Sequence, residues 1–166
     1  MRRIRQQHGF TLVELLVVIS IIGLLSTVGV VALTSSRRQS RNAKRIADVK
    51  QLVTAFGLGL DANGTYPGGS GWRCISASCY GGWSVYVADA TTDNFSQPFM
   101  ANKPADPTDG GSRGQGGYVY NGTGGGSFPV GHLLAYTLEP PATCGPGYLF
   151  NTTANFIECV VNLDIN

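Results

Sequence analysis

The stretch Gly9-Phe10-Thr11-Leu12-Val13-Glu14, with the apolar run that carries it on to Leu33, decides how the rest of the chain is read. Between Phe10 and Leu33 the only charged side chain is Glu14. A bilayer core needs roughly 20 consecutive apolar residues, so the run is long enough to cross one as a helix. A short basic leader, Arg2, Arg3 and Arg5, precedes it and ends in Gly9. An ordinary secretory signal has an apolar region of about 7–15 residues followed by small residues at the cut. Val30-Val31-Ala32 offers such residues, but the run before them is too long and contains an acid. A permanent single-pass anchor leaves Glu14 unexplained, because a carboxylate in a membrane segment costs up to about 3 kcal/mol at mid-depth and normally marks a function. The remaining reading puts the cut after Gly9, so that the apolar helix stays on the mature protein and begins with the amine of Phe10.

Gly9-Phe10-Thr11-Leu12-Val13-Glu14-Leu15-Leu16-Val17-Val18 resembles the class III leader and N-methylation motif of type IV prepilins and type II secretion pseudopilins, and the resemblance runs over residues 9 to about 67. It implies processing at Gly9 and Phe10, where a prepilin peptidase cuts after Gly9 and methylates the new amine of Phe10. It also implies an assembly role for Glu14 and Phe10. A terminal ammonium with a pKa of about 7.7–8.0 is mostly charged at neutral pH. A carboxylate in an apolar filament core is tolerated only when paired. Glu14 of an incoming subunit and the Phe10 amine of its neighbour would then neutralise one another and set the axial register. The partners implied are further copies in a helical filament, the peptidase, an inner-membrane assembly platform, and membrane lipid before assembly. The localisation implied is a single pass in the inner (cytoplasmic) membrane, followed by a periplasmic or extracellular filament.

Charge is unevenly spread beneath a formal net of +2 over 166 residues. Arg37–Lys50 holds six basic residues against Asp48, whereas from Gln51 to Asn166 three basic residues face eight acidic ones. A basic flank just past a membrane run argues for the cytoplasmic side, but the leader arginines argue the opposite and come first, which usually dominates orientation. The basic run suits lipid head groups at about 1 kcal/mol per residue, acidic heads of neighbouring subunits, or simply a solvated helix face. Nucleic acid is an unlikely partner, since no aromatic residues are interleaved with these charges.

Beyond the polar break at Thr34-Ser35-Ser36, Ile46, Val49, Val53, Phe56 and Leu60 recur at spacings of three and four, the mark of a helix with one buried face. No proline precedes Pro67, so one continuous helix from about Phe10 to about Leu60 is expected, with Gly57 and Gly59 weakening its last turns and Asn63-Gly64 stopping it. Candidate strands are Trp83–Ala88, Gly117–Asn121, Leu133–Leu138 and Phe156–Leu163. The expected fold is α+β: a long N-terminal helix, membrane-spanning in its first half, packed on a small antiparallel β-sheet head of pilin-like form. The expected division is a leader at 1–9, a transmembrane and polymerisation helix at 10–33, an amphipathic continuation at 34–60 and a β-rich head at 61–166.

Four cysteines fit an oxidising compartment. Three pairings are open, and proximity along the chain favours Cys74 with Cys79 and Cys144 with Cys159. Zinc wants cysteine pairs two to four residues apart with histidine support, and past the leader only His132 is present. The Gly-rich stretch Gly110–Gly126 lacks Gly-Lys-Ser/Thr and precedes a strand, so it is a loop and not a phosphate cradle. No nucleophile elbow or triad spacing occurs, which leaves no catalytic residue to name. No cofactor is expected, with calcium at Asp106 and Asp109 as a weak candidate because hard cations take loop oxygens. Together these features are read as a non-enzymatic filament subunit of pilus type. Its alternatives are the major pseudopilin of a type II secretion system and, from another class, a membrane-anchored or secreted binding module.

Overall fold

The computed structural model describes residues 9–108 and 115–165. The chain divides into two compact units, Met1–Gln39 and Ser40–Asn166.

Helix α1, Leu12–Asn63, runs through the boundary between them. In the first unit its described side chains from Leu12 to Leu33, Glu14 apart, form an exposed and mostly apolar surface: Leu16 is 54% exposed and Leu24 69%. Four hydroxyls along residues 12–34 interrupt that surface, and each turns back on its own helix. Ser20, Ser26, Thr27 and Thr34 donate to the carbonyls of Leu16, Ile22, Leu24 and Val30 at 2.7–2.9 Å. Each hydroxyl proton is then satisfied within the helix.

In the second unit the same helix turns amphipathic. Its most buried line is Arg45, Val49, Leu52 and Phe56, all at 0% exposure, with Ile46, Val53 and Leu60 half-buried beside it. The stripe read from apolar spacing shares Val49 and Phe56 with this line and flanks it at Ile46, Val53 and Leu60, where the buried neighbours are Arg45, Leu52 and Gly59. Gly59 falls on the buried line: a Cβ there would stand 2.5 Å from the Phe95 ring. The helix ends where Gly64, at φ +77°, takes the left-handed turn and donates to the Leu60 carbonyl at 2.7 Å.

The remaining elements are β1 (Trp72–Cys74), β2 (Tyr80–Gly81), α2 (Ala90–Ser96), β3 (Gln115–Gly116), β4 (Tyr118–Asn121), β5 (Gly124–Gly125), β6 (Phe128–Val130), β7 (Leu133–Leu138), β8 (Tyr148–Thr152) and β9 (Ile157–Asn162). An antiparallel five-stranded sheet has the order β1-β4-β7-β9-β8. One face, with Tyr118, Tyr120, Leu134, Tyr136, Leu138 and Val161, joins the buried line of α1 in the main core. The other carries Val119, Leu133, Ala135 and Val160 under Trp83, Phe128 and Phe150. The three sheet tyrosines at 0% exposure each place the hydroxyl on an acceptor: Tyr118 on Asp48 Oδ2 at 2.7 Å, Tyr120 on the Pro67 carbonyl at 2.7 Å and Tyr136 on the Pro146 carbonyl at 2.8 Å. Burial raises the pKa of all three.

The expected strand Trp83–Ala88 is corrected. Gly82–Val85 is a 3-10 turn entered through Gly81 at φ +62°, which drops Trp83 onto the outer face of the sheet at 3% exposure. Only Ala88 pairs, in a parallel bridge to Cys74. Helix α2, capped by Asp89, and the edge strand β8 had no counterpart in the expectations.

Candidate processing and assembly site

Gly9 and Phe10 lie exposed ahead of α1, Phe10 at 83%. Thr11 is the cap. Its hydroxyl accepts from the Glu14 amide at 3.3 Å, while Glu14 Oε2 accepts from the Thr11 amide and hydroxyl, both at 2.9 Å. This reciprocal capping box satisfies donors that the first helical turn leaves open. The carboxylate in the apolar run is therefore held at the helix entrance by its own chain. The spacing Thr11-x-x-Glu14 is the sequence signal for it, which the charge of Glu14 alone does not convey. Gly23 and Gly29 have nothing within 4 Å of an added Cβ, so they are open notches on the exposed helix surface.

In the second unit the basic run meets acids of its own chain. Arg45 is wholly buried and binds Asp106 through Nε (3.1 Å) and Nη2 (3.0 Å), Glu139 Oε1 through Nη1 (2.9 Å) and Asn42 Oδ1 (2.9 Å). Arg41 grips Glu139 with two bonds of 2.8 and 2.6 Å. Lys44 pairs with Asp48 at 2.6 Å and donates to the Ala105 carbonyl at 2.7 Å. The hydrogen bonds of Arg41, followed by those of Arg45, push the Glu139 carboxyl down to about 2 against the opposing effect of its burial. These residues tie the helix to the sheet of this unit, a use that the bare charge count did not reveal.

Asp106 also accepts from the Thr108 amide (2.9 Å) and hydroxyl (3.1 Å) and from the Gly117 amide (3.2 Å). Its oxygens thus face protein donors, and Asp109 lies outside the described residues. Among the described residues no three of His, Cys, Asp and Glu gather to hold a metal ion. His132 bonds Asp164 through Nδ1 at 2.7 Å and through its amide at 2.9 Å, which fastens the last turn of the chain to the start of β7. Disulfides join Cys74 to Cys79 and Cys144 to Cys159, the second linking β9 to the connection ahead of β8.

Residues 4–30 match the family profile described as the prokaryotic N-terminal methylation motif. The chain is also similar to the type II secretion system core protein G of Vibrio cholerae serotype O1, 33% identical over 67 residues. That match covers 40% of this chain and 46% of the relative, so the chain spans about half the length of the curated protein it resembles. No solved structure matches. The motif and the relative together support a pilin or pseudopilin subunit, a structural and non-enzymatic class. A prepilin-type motif on an N-terminal apolar helix fits anchoring in the inner membrane followed by a periplasmic filament. The chain therefore carries the prokaryotic N-terminal methylation motif at the entrance of an apolar helix, followed in sequence by an α+β unit of pilin-like architecture.

Proposed function

We propose that the chain is a non-enzymatic structural subunit of a type IV pilus-like filament, exported as a prepilin, cut after Gly9, N-methylated on Phe10 and assembled through its apolar helix. The observation that carries this reading is an unbroken exposed apolar helix with a single carboxylate in its first turn. Such a surface needs lipid or other apolar helices around it. Lipid holds the precursor in the inner membrane, and residues 10–33 of other copies replace that lipid in the filament. Glu14 leaves its cap to meet the Phe10 amine of a neighbour. A prepilin peptidase supplies the cut and an inner-membrane platform drives the transfer. Residues 34–60 continue the helix and 61–166 form the head, and no cofactor takes part.

A second reading, the major pseudopilin of a type II secretion system, is favoured by the similarity to core protein G. Both readings share one test. Mass spectrometry of the mature N-terminus should find methylated Phe10 first; a product starting at Leu33, or an intact Met1, overturns both. Electron microscopy then separates them, since long surface fibres support the pilus reading and loss of exported proteins without fibres supports the pseudopilus.

A further inference from the structure

Asn-x-Ser/Thr, the acceptor triplet for an N-linked glycan, occurs at Asn63, Asn94, Asn121 and Asn151. Transfer requires the amide nitrogen and the hydroxyl two residues on to be reachable together, and the fold closes three of the four sites. Asn63 donates Nδ2 to the Gly59 carbonyl at 2.8 Å within the end of α1. Asn121 is 6% exposed, and its Oδ1 accepts from the amides of Thr123 and Gly124 at 3.0 and 3.1 Å. Asn94 is exposed but stands in α2, where the hydroxyl of Ser96 is buried and donates to the Thr92 carbonyl at 3.1 Å. At the fourth site Asn151, Thr152 and Thr153 are all exposed, the first two on the extended chain of β8.

A separate observation falls on the same strand. Strand β8 ends the five-stranded sheet, with β9 on one side and, among the described residues, no strand on the other. The opposite edge, β1, is met by the bridge from Cys74 to Ala88. Open edges are usually blunted by charge or proline, or covered. No charged residue occurs from Pro140 to Ile157, β8 holds no proline, and Tyr148 and Leu149 stand 38% and 56% exposed. The one reachable acceptor triplet thus begins on the one strand whose edge is bare.

We propose that Asn151 is an N-glycosylation site and that its glycan covers the open edge of β8; the exposure of this unit to a glycosyltransferase across the membrane rests on the filament reading. The co-substrate is a sugar activated at C1 by a diphosphate. Nδ2 of Asn151 forms the bond to C1 as the bond from C1 to the diphosphate oxygen breaks. The diphosphate leaves with the electron pair, and the amide gives up one proton. A bulky, solubilising group at this position shields the exposed Tyr148 and Leu149 from pairing with another chain.

The test is the intact mass of the full mature chain purified from its own host, with peptide mapping of residues 140–162. The expected result is a carbohydrate increment on Asn151. Asn151→Gln and Thr153→Ala should both remove it, Thr153→Ser should keep it, and Asn94→Gln should leave it unchanged. The purified Asn151→Gln chain should also self-associate at a concentration at least tenfold lower in light scattering. Loss of the increment after brief bacitracin treatment, which traps the polyprenyl diphosphate carrier, supports the site with a lipid-linked donor; persistence supports it with a nucleotide-linked one. A chain of unmodified mass that starts at methylated Phe10, or an increment that survives Asn151→Gln, overturns the glycan and leaves the filament reading standing. A modified Asn151 on a chain with Met1 intact overturns the filament reading and leaves the glycan.

Discussion

The filament reading asks a second duty of Glu14 beyond the cap it makes in the single chain, and the geometry lets the two be separated. In the single chain its carboxylate closes the cap with Thr11 at 2.9 Å. Glu14→Ala should leave membrane insertion unchanged, as read by carbonate extraction, yet abolish filaments in sheared surface fractions. Thr11→Ala should fray the first turn at a cost of about 1 kcal/mol while keeping assembly, because the carboxylate remains. A second pair of residues separates propensity from packing. Gly57 has nothing within 4 Å of an added Cβ, so Gly57→Ala should stabilise the helix by about 1 kcal/mol. Gly59→Ala should destabilise by about 1–3 kcal/mol, since the new methyl runs into Phe95, which is itself packed against Phe56 at 5.6 Å. Thermal unfolding of the detergent-solubilised chain reads both. Sequence alone treated the two glycines as equal, since what distinguishes them is a ring brought in by α2, thirty-odd positions away.

At the scale of elements, the second half of α1 is held to the sheet by polar as well as apolar contacts. Removing Arg45 takes away the buried cation between Asp106 and Glu139, leaving Glu139 to Arg41 alone, and Arg45→Ala should cost about 3–5 kcal/mol. Arg45→Met, which restores volume but not charge, should recover little of that while both acids remain. The same ion pairs set an acid limit. The Glu139 carboxyl is depressed to about 2 in the folded chain, so its contribution is complete above its ordinary value of 4.5 and fades as pH falls through 2. Melting temperature should accordingly drop over that window, and the drop should shrink in Glu139→Gln. Alternation and turn residues made β4, β7 and β9 legible in the sequence. They failed at Trp83–Ala88, where an aromatic and a valine read as strand although the Gly81-Gly82 pair turns the backbone. Strand β8 was missed because its pattern of exposure follows from lying at an edge, a fact of topology that no local spacing encodes. The buried place of Arg45 was missed for a related reason: its acids come from 61 and 94 positions further along the chain.

For the molecule as a whole, the first unit was the most legible part, since a long apolar run with one acid needs no tertiary information to be recognised. The second unit's core depended on which loop met which strand, and that had to be seen. Its internal hydroxyl bonding has a consequence for any bundle of such helices. Ser20, Ser26, Thr27 and Thr34 direct their donors into their own backbone. Side by side, copies of this helix would meet as greasy cylinders with only the shallow notches at Gly23 and Gly29 to resist sliding. On the filament reading Glu14, the one charged side chain between Phe10 and Leu33, is then the group left to fix how far one rod advances past the next, and a fibre so built should lengthen under tension before it parts.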